Sequence, residues 1–458
     1  MTERTSASLR VRPGRALSGS VRVPLDAEVA QRALVLAALA DGPGALLWPD
    51  APLDSHLGSL LTALRALGVP IETDAEALRI TGVGTDGLRM PSAALDAGRS
   101  YTALALLAGL IGAQRFGTRL LVHESLALRS VERIVGPLRA RGAQIAGRSS
   151  HAGAPATPPL AIAPLVDGEQ LSALDCELPA ADAAAKGAVL VSALFAAGST
   201  LLSEPTVSPD HLERAMVMLG LPLRRVGSVV CFEPRDWDHH IPAQPALALP
   251  GCTTCAAYLS AACLVVPGSR IALGGVGINP ARTGYFDALR LWGADVQVLP
   301  RGDAGREPIA DLIVRHRPLR GGVLDGEVLL RGRDEVPALA VLGSFAQRGA
   351  QLYDVDPLLA DHDPHASALL GVLRATGIDA TQKAGALCVT KLRHPTTGAV
   401  LASDDPQLVM AAVVAGLAGE GESVVEQGVA ALLQAHPGFL EALQALGADI
   451  FLQGTPDK

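Results

Sequence analysis

The sequence predicts an α/β protein built as two globules of three repeats each. Two observations carry this. First, a helix end, a glycine and the start of a strand recur six times, in ALRALGVPI (63–71), PLRARGAQI (137–145), VMLGLPL (217–223), ALRLWGADV (288–296), VLRATGIDA (372–380) and ALQALGADI (442–450). The glycines are Gly68, Gly142, Gly220, Gly293, Gly377 and Gly447, spaced 70 to 84 residues apart. A glycine just past a helix is a left-handed stop, and a β-prone run follows each one. Second, the 458-residue chain is 49% hydrophobic and 18% charged, enough to bury more than one core.

The strongest single helix signal begins at Ala30. Leu34, Leu36, Ala37, Leu39 and Ala40 recur at helical spacing, and Gly42 and Pro43 are read as its stop. Residues 146–170, rich in Ala, Pro and Gly, read as a loop inside the first globule. Residues 233–250 read as a crossing between globules, just before Gly251.

Bulk properties exclude several function classes. The net charge of −8 gives no basic face for nucleic acid. The polar N-terminus has no apolar h-region, and no run of eighteen or more apolar residues appears, so neither a signal peptide nor a membrane span is expected. Six cysteines in so long a chain do not form a disulfide framework. The reading is a cytoplasmic, monomeric protein with a small-molecule substrate and no nucleic-acid or membrane partner.

Several motifs then align with one family. Pro24-Leu25-Asp26-Ala27-Glu28-Val29-Ala30-Gln31-Arg32 has the frame of Pro-Gly-Asp-Lys-Ser-Ile-Ser-His-Arg. Val207-Ser208-Pro209-Asp210-His211-Leu212-Glu213-Arg214 follows Ser-Arg-Asp-His-Thr-Glu-Arg, and GCTTCAAYLSAACLVVPGS (251–269) follows a Gly-Asp-Pro-Ser-Ser helix ending in Val-Pro-Gly-Ser. Asn279-Pro280-Ala281-Arg282-Thr283-Gly284 matches Asn-Pro-Thr-Arg-Thr-Gly, and Asp334-Glu335-Val336-Pro337 matches Asp-Glu-Tyr-Pro. In this order the chain resembles the 5-enolpyruvylshikimate-3-phosphate (EPSP) synthase family, second class. The resemblance implies a two-lobed enolpyruvyl-transferase fold, each lobe three βαβαββ-type repeats in an inverse α/β-barrel-like arrangement. It also implies a discontinuous C-terminal lobe (1–24 plus 252–458), an N-terminal lobe (25–251) and an active site in the cleft between them.

Fold does not settle chemistry, so the family's site was followed residue by residue. The family's phosphate lysine falls on Ala27 and its serine on Glu28, while its carboxylate-binding arginine is kept as Arg32. Near the phosphoenolpyruvate position stand Tyr101 and Ala105, with Arg129 retained. The second phosphate pocket reads Asp182-Ala183-Ala184-Ala185-Lys186. The run Leu359-Ala360-Asp361-His362-Asp363-Pro364-His365 replaces a cationic loop, and Pro406-Gln407 replaces His-Arg. Each charge-assisted bond so removed is worth roughly 1.5–3 kcal/mol, which predicts a divergent homologue without the phosphoenolpyruvate-binding residues.

The expectation is therefore a lyase: a dehydratase performing 1,4-conjugate elimination of water from shikimate or a related cyclic polyol acid, in cyclohexanecarboxylate-type metabolism. Arg32, Asp182, Asp361, Arg129, Tyr101 and Lys186 would bind substrate. Asp334, Glu28, His362 and His365 would move protons, base and acid not separable from sequence. A non-catalytic acid- or protein-binding relative is the alternative, and a true enolpyruvyl transferase with a rebuilt pocket the third. No cofactor and no metal are expected. The 361–365 run has no defensible ligand spacing. Cys252-Thr253-Thr254-Cys255 reads as small-residue packing despite its redox spacing. Gly274-Gly275-Val276-Gly277 opens no helix, so it is no dinucleotide loop.

Overall fold

A computed structural model describes residues 7–48, 55–74, 77–149, 154–178, 181–353, 364–383, 385–392, 400–401 and 403–454. Its chain divides into two compact units. One comprises Met1–Leu25, Pro250–Gly302 and Pro308–Lys458; the other, Asp26–Leu249 and Asp303–Glu307.

Six helices rich in Ala, Leu and Val form the interiors. The second unit holds α1 (Ala27–Ala38), α2 (Tyr101–Ile111) and α3 (Ala183–Ala193). The first holds α4 (Thr253–Val265), α5 (Val336–Phe345) and α6 (Pro406–Leu417). In α2 every residue from Thr102 to Ile111 is buried, and in α4 every residue is. A helix apolar on all sides belongs inside, because no face gains from water.

Around these helices the described strands form six four-stranded sheets of one plan. Each has a parallel pair followed by antiparallel strands. In one, Leu174–Glu177 runs parallel to Thr200–Ser203, which pairs antiparallel with Val229–Phe232 and through it with Leu223–Val226. An inner helix spans the parallel pair, here α3. An outer helix then leads into the hairpin, here His211–Met218. The outer helices end at the six glycines read from the sequence, all in the left-handed region with φ from +73 to +110°. The repeat is thus βαβαββ. Three sheets draw strands from distant chain segments: Leu247–Ala248 joins Asp41–Leu47, Ser18–Arg22 joins Arg270–Gly277, and Ser8–Arg12 pairs with Asp449–Gln453.

Two local expectations need correction. The first helix starts at Ala27, not Ala30, because Asp26 caps it: its carboxylate accepts from the Glu28 and Val29 N–H groups at 3.0 and 3.2 Å. It also ends earlier, and Gly42 and Pro43 lie inside the strand Asp41–Leu47. The earlier start has a chemical consequence, since it puts Glu28 and Arg32 one turn apart on the same face. The stretch 146–170 is not all loop: Thr157–Ile162 is a central strand. Its two prolines fall where the pairing with Ile145–Arg148 shifts register, so no ladder hydrogen bond is demanded of them.

Candidate active site residues in the two units

In the second unit the N-termini of α1, α2 and α3 converge, tied by side chains. Ser100 caps α2 by accepting from the Ala103 N–H at 3.0 Å, and its hydroxyl donates to Gln31 of α1 at 2.8 Å. Asp182 caps α3, accepting from the Ala185 N–H at 2.9 Å. Arg32, 2% exposed, donates to the Ala183 carbonyl at 3.2 Å. Backbone N–H groups at helix N-termini favour an anion, but at α1 and α3 the capping carboxylates of Asp26 and Asp182 already take up part of that field.

A third carboxylate, Glu28, lies there as well. The Glu28 carboxylate accepts from Arg32 at 2.8 Å and from the Thr102 hydroxyl at 2.9 Å. Beside it the Arg129 guanidinium lies 3.7 Å over the Tyr101 ring. Burial, and then the Asp182 charge, push the Tyr101 phenol up to about 12, so it remains a neutral donor at physiological pH. Arg133 approaches Asp182 at 4.0 Å.

Lys186 lies elsewhere. It is buried inside α3, and its ammonium meets Glu204 at 3.0 Å, Glu213 at 2.6 Å and the Ser208 carbonyl at 3.2 Å. It donates to Glu204 and the Ser208 carbonyl and is paired in charge with Glu213, so it is committed to the fold and 1% exposed. Burial raises the Glu213 carboxyl, an effect opposed by Lys186. Glu213 belongs to the motif at 207–214, whereas Glu204 carries no signal of its own in the sequence; only the fold brings both to Lys186.

In the first unit Asp334 and Glu335 form the short 3-10 turn that opens α5. Glu335 is buried and accepts from the Thr254 hydroxyl of α4 at 2.6 Å. Arg282, in the Asn-Pro-Ala-Arg-Thr-Gly motif, donates to the Thr254 oxygen at 3.3 Å. Tyr258 donates to the Asp334 carbonyl at 3.2 Å. Burial first, and the Asp334 charge second, raise the Glu335 carboxyl to about 8, leaving it an acid at neutral pH. Sequence reading singled out Asp334 and passed over Glu335, whose role depends on burial that the motif does not reveal.

This raised value fixes a pH dependence of stability. From about pH 4.5 to 8 the folded chain keeps the Glu335 proton while the unfolded chain releases it. Stability from this group is therefore complete below the unfolded value and declines as pH rises through the window, by at most about 1.4 kcal/mol per pH unit. Glu335→Gln should flatten that decline in denaturant unfolding series at pH 5, 6.5 and 8. Parallel slopes for the two proteins would show that Glu335 is ionised in the fold.

Asp361 and His362, expected in the site, lie outside the described residues, as does the side chain of His365. Cys252 caps α4, and Cys255 is one turn along. The packing expected there is supplemented by an imidazole: the Cys255 sulfur lies 3.5 Å from His436 Nδ1, across 181 residues of sequence.

The EPSP synthase (3-phosphoshikimate 1-carboxyvinyltransferase) family model matches residues 11–443. The chain belongs to this family. A 3-phosphoshikimate 1-carboxyvinyltransferase of Halorhodospira halophila is 34% identical over 98% of this chain and 98% of its own. That of Brevibacillus brevis is 32% identical over 95% and 99%. The EPSP synthase structure from Acinetobacter baumannii superposes with a TM-score of 0.84 at 29% identity, covering 98% of this chain and all of that one. The two-lobed α/β enolpyruvyl-transferase fold is thereby established.

These relatives overturn the lyase expectation. Full-length proteins at this identity carry the name of a transferase, not of a carbon–oxygen lyase or dehydratase. The expectation rested on a count of basic side chains, which leaves out the backbone N–H donors that can also hold an anion. No helix among the described residues is long and apolar enough to cross a membrane.

Proposed function

We propose that this protein is a carboxyvinyltransferase, a true enolpyruvyl transferase with a rebuilt pocket. It joins a hydroxyl oxygen of 3-phosphoshikimate, or a close analogue, to the vinyl carbon of phosphoenolpyruvate and expels phosphate. The observation that carries this reading is near-complete coverage at 31–34% identity to 3-phosphoshikimate 1-carboxyvinyltransferases.

The reaction needs a place for anions and a group to take the acceptor's proton. Arg32, Thr102 and the N-termini of α1 to α3 provide the first. The Glu28 carboxylate stands in for a ligand anion at those donors and swings aside when one binds. Asp334 provides the second, and the adjacent Glu335 is held as the acid. The Arg129–Tyr101 stack supplies a cation and a neutral hydroxyl donor. Ala27, Glu28, Ala105 and Gln407 make this a divergent member in which helix termini carry more of the anion binding.

The test is phosphate release by the purified protein. Release that requires both phosphoenolpyruvate and 3-phosphoshikimate is expected. No release with both present, at saturating concentrations of each, would contradict the reading.

A further inference from the structure

A cluster in the first unit, apart from the residues assigned above, has the composition of a metal centre. Among the described residues, the ligand atoms of Cys252, Cys255 and His436 lie within 4.8 Å of one another. The geometry points to a binding site for one soft d10 divalent ion, Zn2+, held by these two thiolates and His436 Nδ1.

Three chain segments build the cluster. The Cys252 sulfur accepts from the Cys255 N–H at 3.3 Å, in the cap of α4, and the Cys252 N–H donates to the Pro24 carbonyl at 2.7 Å. The His436 N–H donates to the Leu432 carbonyl at 2.8 Å, ending the helix Val429–Ala435. Gly438, two residues on, has φ +85°, and a Cβ there would lie 3.2 Å from Pro24 Cγ. The histidine segment is therefore pressed onto the strand end that also holds Cys252.

The distances fit the ion. With Zn–S of about 2.3 Å and Zn–N of about 2.0 Å, a tetrahedral site has a sulfur–nitrogen edge of about 3.5 Å and a sulfur–sulfur edge of about 3.8 Å. The Cys255–His436 separation is 3.5 Å. The remaining pairs, within 4.8 Å, need to close by at most about 1.3 Å. The thiolate–imidazole set favours zinc or monovalent copper over magnesium, calcium or manganese. The Cys-x-x-Cys spacing on one helix turn is that of many zinc sites. Both cysteines are buried and His436 is partly exposed, so the ion enters from the histidine side. Binding releases the two thiol protons to solvent, and the fourth position falls to water or another ligand. Thr254, between the cysteines, is the residue that donates to Glu335, so occupancy would stiffen the turn that positions that carboxyl.

The test uses the full chain, stripped with chelator and kept reduced. It is titrated with Zn2+ and, separately, with Co2+, whose thiolate charge-transfer bands report coordination by sulfur. One equivalent of either ion per chain, with those bands, is expected. Cys252→Ser, Cys255→Ser and His436→Asn should each weaken binding at least about tenfold. Circular dichroism and thermal melting of each variant separate ligand loss from unfolding, and Cys388→Ser serves as a thiol control. The proposal is overturned if the reduced chain binds no ion at micromolar concentration, or if binding is indifferent to all three substitutions. It is equally overturned if the cysteines only form a Cys252–Cys255 disulfide in air.

Discussion

Glu28→Ser should raise kcat/KM for one of the two anionic substrates by about tenfold or more. The Glu28 carboxylate accepts from Arg32 and Thr102 beside three helix N-termini, the donors an incoming phosphate or carboxylate needs. Two unit charges 4 Å apart repel by about 4 kcal/mol at an effective dielectric of 20. Glu28 is 43% exposed in its side chain, so solvent screens much of that, and about 1.4 kcal/mol, or tenfold, is the reasonable part. Serine removes the charge and leaves a small hydroxyl, as the family frame has at this position. The cost to folding is larger than for an exposed pair, because the Thr102 bond is lost and the buried Arg32 guanidinium keeps only the Glu28 and Ala183 carbonyls among these partners; with Glu28 partly solvated, roughly 1–3 kcal/mol is expected, to be checked by denaturant unfolding. Steady-state kinetics with each substrate varied in turn would show which one gains. Unchanged or lower kcat/KM for both would mean that Glu28 does not compete with a ligand.

The second large effect concerns folding. Lys186→Met should destabilise the protein by about 3–5 kcal/mol, because it leaves Glu204 and Glu213 buried with no cation. Both carboxyls would then hold protons in the fold at pH values where the unfolded chain has released them. The penalty should consequently shrink as pH falls toward 5 and grow as it rises. Urea unfolding at pH 5 and pH 7.5 would measure both. A loss below about 1 kcal/mol at pH 7.5 would show that solvent or another group satisfies the two carboxylates.

What was legible in the sequence follows from where chemistry leaves a local mark. Gly68, Gly142, Gly220, Gly293, Gly377 and Gly447 were legible because a left-handed helix stop tolerates little else, and all six occupy that conformation. The true start of α1 was missed because apolar periodicity begins only at Ala30, whereas the cap is made by Asp26. Arg32 stands out in the sequence through its motif, yet its pairing with Glu28 depends on that start. The Thr102–Glu28 contact, 74 residues apart, and the Lys186–Glu204–Glu213 cluster arise only from tertiary packing. His436 carried no motif and came to Cys255 through the fold alone.

The larger error was one of counting. Each lost lysine or arginine was visible in the sequence, whereas backbone N–H donors at helix ends have no residue type of their own, so a tally of basic side chains leaves them out. At α1 and α3 the caps Asp26 and Asp182 offset part of that contribution.

The most direct test of the central claim is the identity of the product. The protein would be incubated with phosphoenolpyruvate and 3-phosphoshikimate and the mixture followed by mass spectrometry and phosphorus NMR. The account predicts that the acceptor gains a carboxyvinyl group as inorganic phosphate appears in equal amount. Acceptor recovered unchanged, whether phosphate is absent or released by hydrolysis of phosphoenolpyruvate alone, would contradict it.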